Sequence, residues 1–308
     1  MRIPPPQLLG LIVLASIWGA SFMFIKVMLD ELRPVEIGWL RLGGGALFIL
    51  AVVAFRRRPI PRDWHYWSST LVVGALGSAI PFYVIPLAEE EISSQLAGIL
   101  NGAMPLWAAI LAHVALVEER LDRVGGAGLV VGFVGLAIVI GPGIFDIAEA
   151  STQGALMMLG AALSYAASAV WVRRRLRGTD STLLAGNQTW LAFVYLTPWV
   201  LAEGAPDVTA LSANVLWATL ALGVLATGVA YLIYYWLLAT LHATQASLVT
   251  YLAPAAAVFW GWAVLGESIG LGVWPGLGLI LLGMYLVNRP SGEPKGVPGV
   301  AAGARSRT

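Results

Sequence analysis

The feature that most constrains this chain is a succession of ten apolar stretches, separated by charge, proline, glycine or short polar clusters. Each approaches the roughly 20 residues that a transmembrane helix needs. They begin near Leu8, Val35, Trp67, Ile92, Val124, Gln153, Thr182, Asn214, Thr244 and Gly272. The stretches from Ile92 to Val117 and from Asn214 to Leu238 are the longest, which predicts tilt or a proline kink there. The expected fold class is therefore an all-α integral membrane protein of ten spans. Composition agrees: 11% of the 308 residues are charged, against about 25% in soluble domains. A net charge of +1 supplies no basic stripe, which excludes nucleic acid as a partner. The lack of cysteine removes disulfides and thiolate metal sites. The first stretch, Leu8 to Ile25, is longer than the h-region of a secretory signal, about 7 to 15 residues. It is expected to be a retained helix following a short N-terminus over 1–7.

Orientation follows from the connections, since cytoplasmic loops retain Lys and Arg. Fifteen of the 18 basic residues fall on one side, among them Arg56, Arg57, Arg58, Arg173, Arg174, Arg175 and Arg289. The opposite side holds Lys26, Arg33 and Arg41, with Glu89, Glu90, Glu91, Glu203, Asp207 and Glu267 in its connections. Both termini are expected to be cytoplasmic and the multi-pass chain to sit in an inner membrane. The Gly- and Pro-rich tail over 289–308 reads as disordered.

The second half repeats the first. Pro105 precedes Glu118 by 13 positions (118 minus 105), and Pro254 precedes Glu267 by the same 13 (267 minus 254). Gly74 and Gly223 lie 31 positions before the two prolines, so an offset of 149 (254 minus 105) relates spans three and four to spans eight and nine. An offset of 147 sets Trp18 against Tyr165, Ser21 against Ser168, Lys26 against Arg173 and Arg41 against Gln188. Five spans per copy is an odd number, so the copies, over 8–145 and 153–288, enter from opposite faces. Inverted repeats of this kind place a site near the midplane at the repeat interface.

These residues carry a resemblance. The run from Ile17 to Phe22 followed by Lys26, the run from Trp39 to Leu42, the Pro105 to Glu118 block and its copy from Pro254 to Glu267 resemble the EamA-type transporters of the drug/metabolite transporter superfamily. The resemblance covers roughly Leu8 to Asn288 and departs at Glu118 and Glu119, where the second copy has Glu267 and Ser268. It implies a ten-helix exporter of small metabolites such as amino acids, with helices one to four and six to nine around a central cavity and helices five and ten peripheral.

The chemistry-bearing residues point the same way. His65, His113 and His242 share no metal-binding spacing, no nucleophile motif is present, and neither metal, cofactor nor catalytic residue is expected. Pro105 and Pro254 each free a carbonyl one turn earlier, and Asn101 and Thr250, four residues before them, are candidates to satisfy it; the pair acts either as hinges or as static kinks. Trp18 and Tyr165, with Phe82 and Tyr231, are expected near the membrane centre on four helices. Thr227, Tyr231 and Tyr234 recur at helical spacing, as do Ser247, Thr250, Tyr251 and Pro254. Such stripes either line a cavity or make interhelical hydrogen bonds. The candidate substrate-binding set is Trp18, Ser21, Phe82, Asn101, Tyr165, Ser168, Tyr231, Thr250 and Tyr251. Arg41, inside span two, is expected to be paired or hydrated, and Lys26 to snorkel to the interface. No acidic residue is expected near the centre of a span, which favours neutral or zwitterionic substrates. Gly128 and Gly132 form a GxxxG that serves either homodimerisation or internal packing. The partners expected are a small-molecule substrate and membrane lipid. The leading expectation is export of amino acids, aromatic or otherwise apolar, by alternating access. A lipid or nucleotide-sugar carrier and an enzyme acting on lipid-linked sugars are the alternatives.

Overall fold

The computed structural model describes residues 3–57, 61–116, 121–141, 150–241, 245, 248–268 and 270–289. Glu118, the start of span nine at Thr244 and the tail from 290 lie outside them. Among the described residues the chain is helical without strands. In chain order the helices are α1 (Pro5–Met28), α2 (Pro34–Phe55), α3 (Trp64–Glu89), α4 (Ser94–Ala115), α5 (Arg123–Ile140), α6 (Ala150–Arg175), α7 (Ser181–Glu203), α8 (Ala213–Tyr234, continuing to Thr240), α9 (Leu248–Leu265) and α10 (Val273–Asn288). Eight are long and apolar enough to cross a membrane. The other two are α7, with Asn187, Gln188 and Thr189 in its first half, and α10, of 16 residues.

Helix starts follow from local chemistry. Pro4, Pro5 and Pro34 stand where a missing N–H costs nothing. Asp63, Ser93, Asp122, Asp180 and Ser212 each accept a hydrogen bond from a backbone N–H of the first turn. Arg33 and Glu36 close the start of α2 reciprocally, Glu36 Oε2 accepting from the Arg33 N–H at 2.8 Å. Helix α7 stops at Gly204, whose φ of 89° only glycine adopts without strain.

Helices α3 and α8 are each loosened by a π-helical segment, Ala75–Ala79 and Ala221–Val229. Adding 149 to the first gives 224–228, inside the second. Here backbones meet: a Cβ on Gly74 would lie 3.2 Å from the Gln188 carbonyl oxygen, and one on Gly223 would lie 3.4 Å from the Arg41 carbonyl oxygen. Helix α1 packs on α9 and α4 on α6, α2 packs on α8 and α3 on α7, while α2 and α7 pack on each other.

The glycine face of α5 packs within the chain. Cβ atoms on Gly128 and Gly135 would sit 3.0 Å and 2.6 Å from the carbonyl oxygens of Gly283 and Gly276 in α10, so this contact depends on bare backbone. A continuous apolar core runs from Phe22, Met28 and Ile37 through Leu100, Leu106 and Met158 to Ile280 and Met284. The perimeter is apolar as well: Leu47, Val130, Trp217 and Trp262 are exposed. Water would not tolerate that surface, and hydrocarbon does.

Candidate functional site

Helices α1 to α4, α6, α8 and α9 enclose a cavity of about 270 Å³. Helix α1 contributes Trp18, Ser21, Phe22 and Ile25, a face repeating at three and four residues. Phe82 and Ile85 enter from α3, and Asn101 and Pro105 from α4. Tyr165 enters from α6; Thr227, Tyr231 and Tyr234 from α8; Thr250 and Pro254 from α9. Seven of the nine expected binding residues thus surround one cavity, as do both prolines and Arg41.

Two expected residues do not. Ser168 packs on Gly77, leaving no room for a Cβ there. Tyr251 turns to α10, its hydroxyl accepting from Asn288 Nδ2 at 3.1 Å. Helix α7, which the resemblance places around the cavity, supplies none of its lining; its Gln188 Nε2 reaches Tyr231 Oη at 3.3 Å and Ser78 Oγ at 3.3 Å. Phe22, Ile25, Ile85 and Met104 line the cavity without having been singled out. The signal for Phe22 and Ile25 was their spacing of four and seven from Trp18.

The walls are largely aromatic. Trp18 and Tyr234 have ring centroids 5.4 Å apart, and Phe82 meets Tyr165 edge to face at 6.3 Å. Ser21 lines the cavity with its Oγ spent on the Ile17 carbonyl. Among these rings stands Arg41, 8% exposed, its guanidinium carbon 3.8 Å from the Phe82 centroid. Its Nε donates to Thr227 Oγ1 at 3.1 Å. The expected pairing is thus met by a hydroxyl and a ring, and Arg41 forms no ion pair among the described residues. Burying such a cation costs about 2.5 to 3.5 kcal/mol on insertion scales.

The prolines act differently from one another. Helix α4 breaks between Asn101 and Met104. Asn101, a candidate to satisfy the carbonyl that Pro105 frees, makes no side-chain hydrogen bond among the described residues; tight turns pair the neighbouring carbonyls, Gly102 N–H donating to that of Ile99 and Ala103 N–H to that of Leu100, both at 3.0 Å. The Asn101 Oδ1 is buried without a partner among the described residues. Pro254 sits inside continuous α9, and a Cβ on Gly102 would lie 3.3 Å from its Cγ, so the break in α4 abuts the proline of α9.

One turn from Phe22, Ile25, Ile85 and Gly98, hydrogen bonds tie the helices together at the acidic-loop end of the cavity. Lys26 Nζ donates to the backbone carbonyls of Glu89 and, at 3.0 Å, Ile92, at the end of α3 and in the connection that follows it. Glu267 accepts from the N–H and Oγ of Ser94, each at 2.9 Å, and from Gln95 N–H at 3.1 Å, capping α4 from beyond α9. Glu89 does not lie in an open loop: it ends α3 with no exposure, and its carboxyl oxygens have no hydrogen-bond partner among the described residues. Further out, Arg33 joins Glu36 at 2.6 Å and Glu203 at 2.9 Å, linking α2 to the end of α7.

The chain is 24% identical over 279 residues to the uncharacterized transporter YoaV of Bacillus subtilis, with 91% of this chain and 95% of that protein covered. It is 24% identical to the chloroplastic WAT1-related protein At3g02690 of Arabidopsis thaliana, covering 90% of this chain and 68% of that one. Protein PagO of Salmonella typhimurium is 25% identical, with 82% and 84% covered. A solved structure shares the fold at a TM-score of 0.65 and 17% identity, over 92% of this chain and 96% of the other. The model of the EamA-like transporter family matches twice, over 6–141 and 152–289. With nearly the whole length accounted for by two copies, the chain is a multi-pass membrane protein belonging to the EamA-like transporter family.

Proposed function

We propose that this protein exports small metabolites from the cytoplasm across an inner membrane, foremost amino acids with aromatic or other apolar side chains and related compounds, by alternating access. The observation that carries the reading is the cavity itself, walled by Trp18, Phe82, Tyr165, Tyr231 and Tyr234 and contributed by helices of both halves. Aromatic faces bind apolar bodies by packing, and a few hydroxyl, amide and guanidinium groups fix orientation. A volume of about 270 Å³ suits a single small metabolite and weighs against a nucleotide sugar.

In this reading ten spans form two inverted five-helix repeats, with both termini cytoplasmic. The two family matches, the paired π-helical segments and the exchange of packing partners between halves support it. The Lys26 and Glu267 ties form the outer closure, and the break in α4 against Pro254 is where the halves flex. Counterflow into proteoliposomes tests the function: preloaded unlabelled phenylalanine or leucine should drive uptake of the labelled compound. Protein-free and wild-type vesicles exchanging at equal rates for every amino acid would refute it.

A further inference from the structure

The cavity holds a cation and no carboxylate. Among its described lining residues Arg41 is the charged one, and none is Asp or Glu. Its Nε is spent on Thr227 and one face of its guanidinium on Phe82. The two terminal nitrogens make no hydrogen bond with the described residues, and the side chain lines the cavity. The hydroxyls of Tyr165 and Tyr231 lie within electrostatic reach of the same group. The buried carboxyl that Arg41 feels, Glu89, is not among the cavity's lining residues and shares no ion pair with Arg41.

A planar fork of donors matches a carboxylate or a phosphate bidentately, and a chamber with one cation and otherwise mostly apolar walls suits the singly charged carboxylate. Ammonium groups find no partner of opposite charge in that wall. We infer that Arg41 is the anchor for the substrate's carboxylate, with the apolar body against Trp18 and Tyr234, and that a substrate amine is dispensable: the transported class is apolar monocarboxylates, with or without an amino group. This rests on the transport reading above and narrows it, since it predicts that organic acids lacking an amine are carried alongside amino acids.

The test uses purified protein, thermal-shift binding and counterflow competition with probes sharing one body: phenylalanine, 3-phenylpropanoate, phenylalanine methyl ester and 2-phenylethylamine. The two carboxylates should bind and compete, with the ester and the amine weaker by about tenfold or more, the loss of one charge-assisted bidentate contact. In Arg41→Gln the carboxylates should weaken by about tenfold while the ester and amine hardly change, and Arg41→Lys, which keeps the charge but not the fork, should fall between. Should Arg41→Gln fail to fold, the wild-type series and Arg41→Lys decide. Ester or amine binding as tightly as the acids, or an unchanged acid preference in the Arg41 variants, would overturn the assignment and leave aromatic transport standing. If 4-methylpentanoate and acetate bind as well as 3-phenylpropanoate and depend on Arg41, the anchor stands and the aromatic preference falls. Binding of no carboxylate would overturn both.

Discussion

A guanidinium inside a helical bundle must be hydrated, paired or stacked, and Arg41 resolves this with Thr227, the Phe82 face and the cavity. Replacing it with Ala removes a buried charge that forms no ion pair among the described residues, so Arg41→Ala should express and purify close to wild type while transport falls at least about tenfold, the scale of one lost charge-assisted contact. Full transport by Arg41→Ala in liposomes, measured per folded protein, would reduce it to a packing residue. Position along the helices was legible in the sequence: Trp18, Phe82, Tyr165, Tyr231, Asn101 and Thr250 line one cavity. Rotation about the helix axis was less so. Tyr251 lies about 100° around α9 from Thr250 and so faces Asn288, and Ser168, one turn from Tyr165, is covered by Gly77. Glu89 differs for a related reason: a charge near a span end reads as part of the connection, whereas it ends α3 fully buried.

Among the elements, the α5 and α10 pair and the outer closure carry the clearest expectations. A side chain on Gly283 would begin 2.6 Å from the Gly132 Cα, in backbone that has nowhere to go. Gly283→Leu should therefore lower the melting temperature in detergent, by the roughly 1 to 3 kcal/mol typical of overpacking, without altering substrate competition. Unchanged melting would mean that the two helices are free to part. Glu267 holds the start of α4 through three hydrogen bonds. Glu267→Ala should loosen the outer end, so that an Ile85→Cys thiol, one turn beneath, reacts faster with an impermeant reagent added outside; equal rates in the two backgrounds would remove Glu267 from the closure. Acid should loosen connections at both ends of the bundle. Backbone and side-chain hydrogen bonds from Ser212 hold the Glu31 carboxyl below its ordinary value, and the Gly125 N–H with Arg289 does the same for Asp122. A depressed carboxylate contributes stability above its unfolded pKa and loses it as pH falls through the folded one. Melting temperature should be level above about pH 5 and decline below about pH 4.

At the scale of the molecule, duplication was visible because proline and acid are rare inside apolar helices and their spacing survives where apolar residues drift. The π-helical segments and the break in α4 were not visible, since no residue marks a widened turn and a proline marks only a place where a helix is strained, as continuous α9 through Pro254 shows. Topology is directly testable in a cysteine-free chain. Arg57→Cys and Arg174→Cys should be shielded from an impermeant thiol reagent outside the cell, and Glu90→Cys and Asp207→Cys should react; the reverse pattern would invert the orientation. The most direct test of the cavity as the transport site is counterflow of labelled phenylalanine into proteoliposomes, with competition by aromatic and branched amino acids, in wild type, Trp18→Ala and Tyr231→Ala. The expected result is saturable exchange in wild type and competition weakened about tenfold in both variants, the scale of a lost aromatic contact, while both remain monodisperse in detergent. Wild-type rates and unchanged competition in both variants would contradict the assignment and leave the aromatic walls as packing alone.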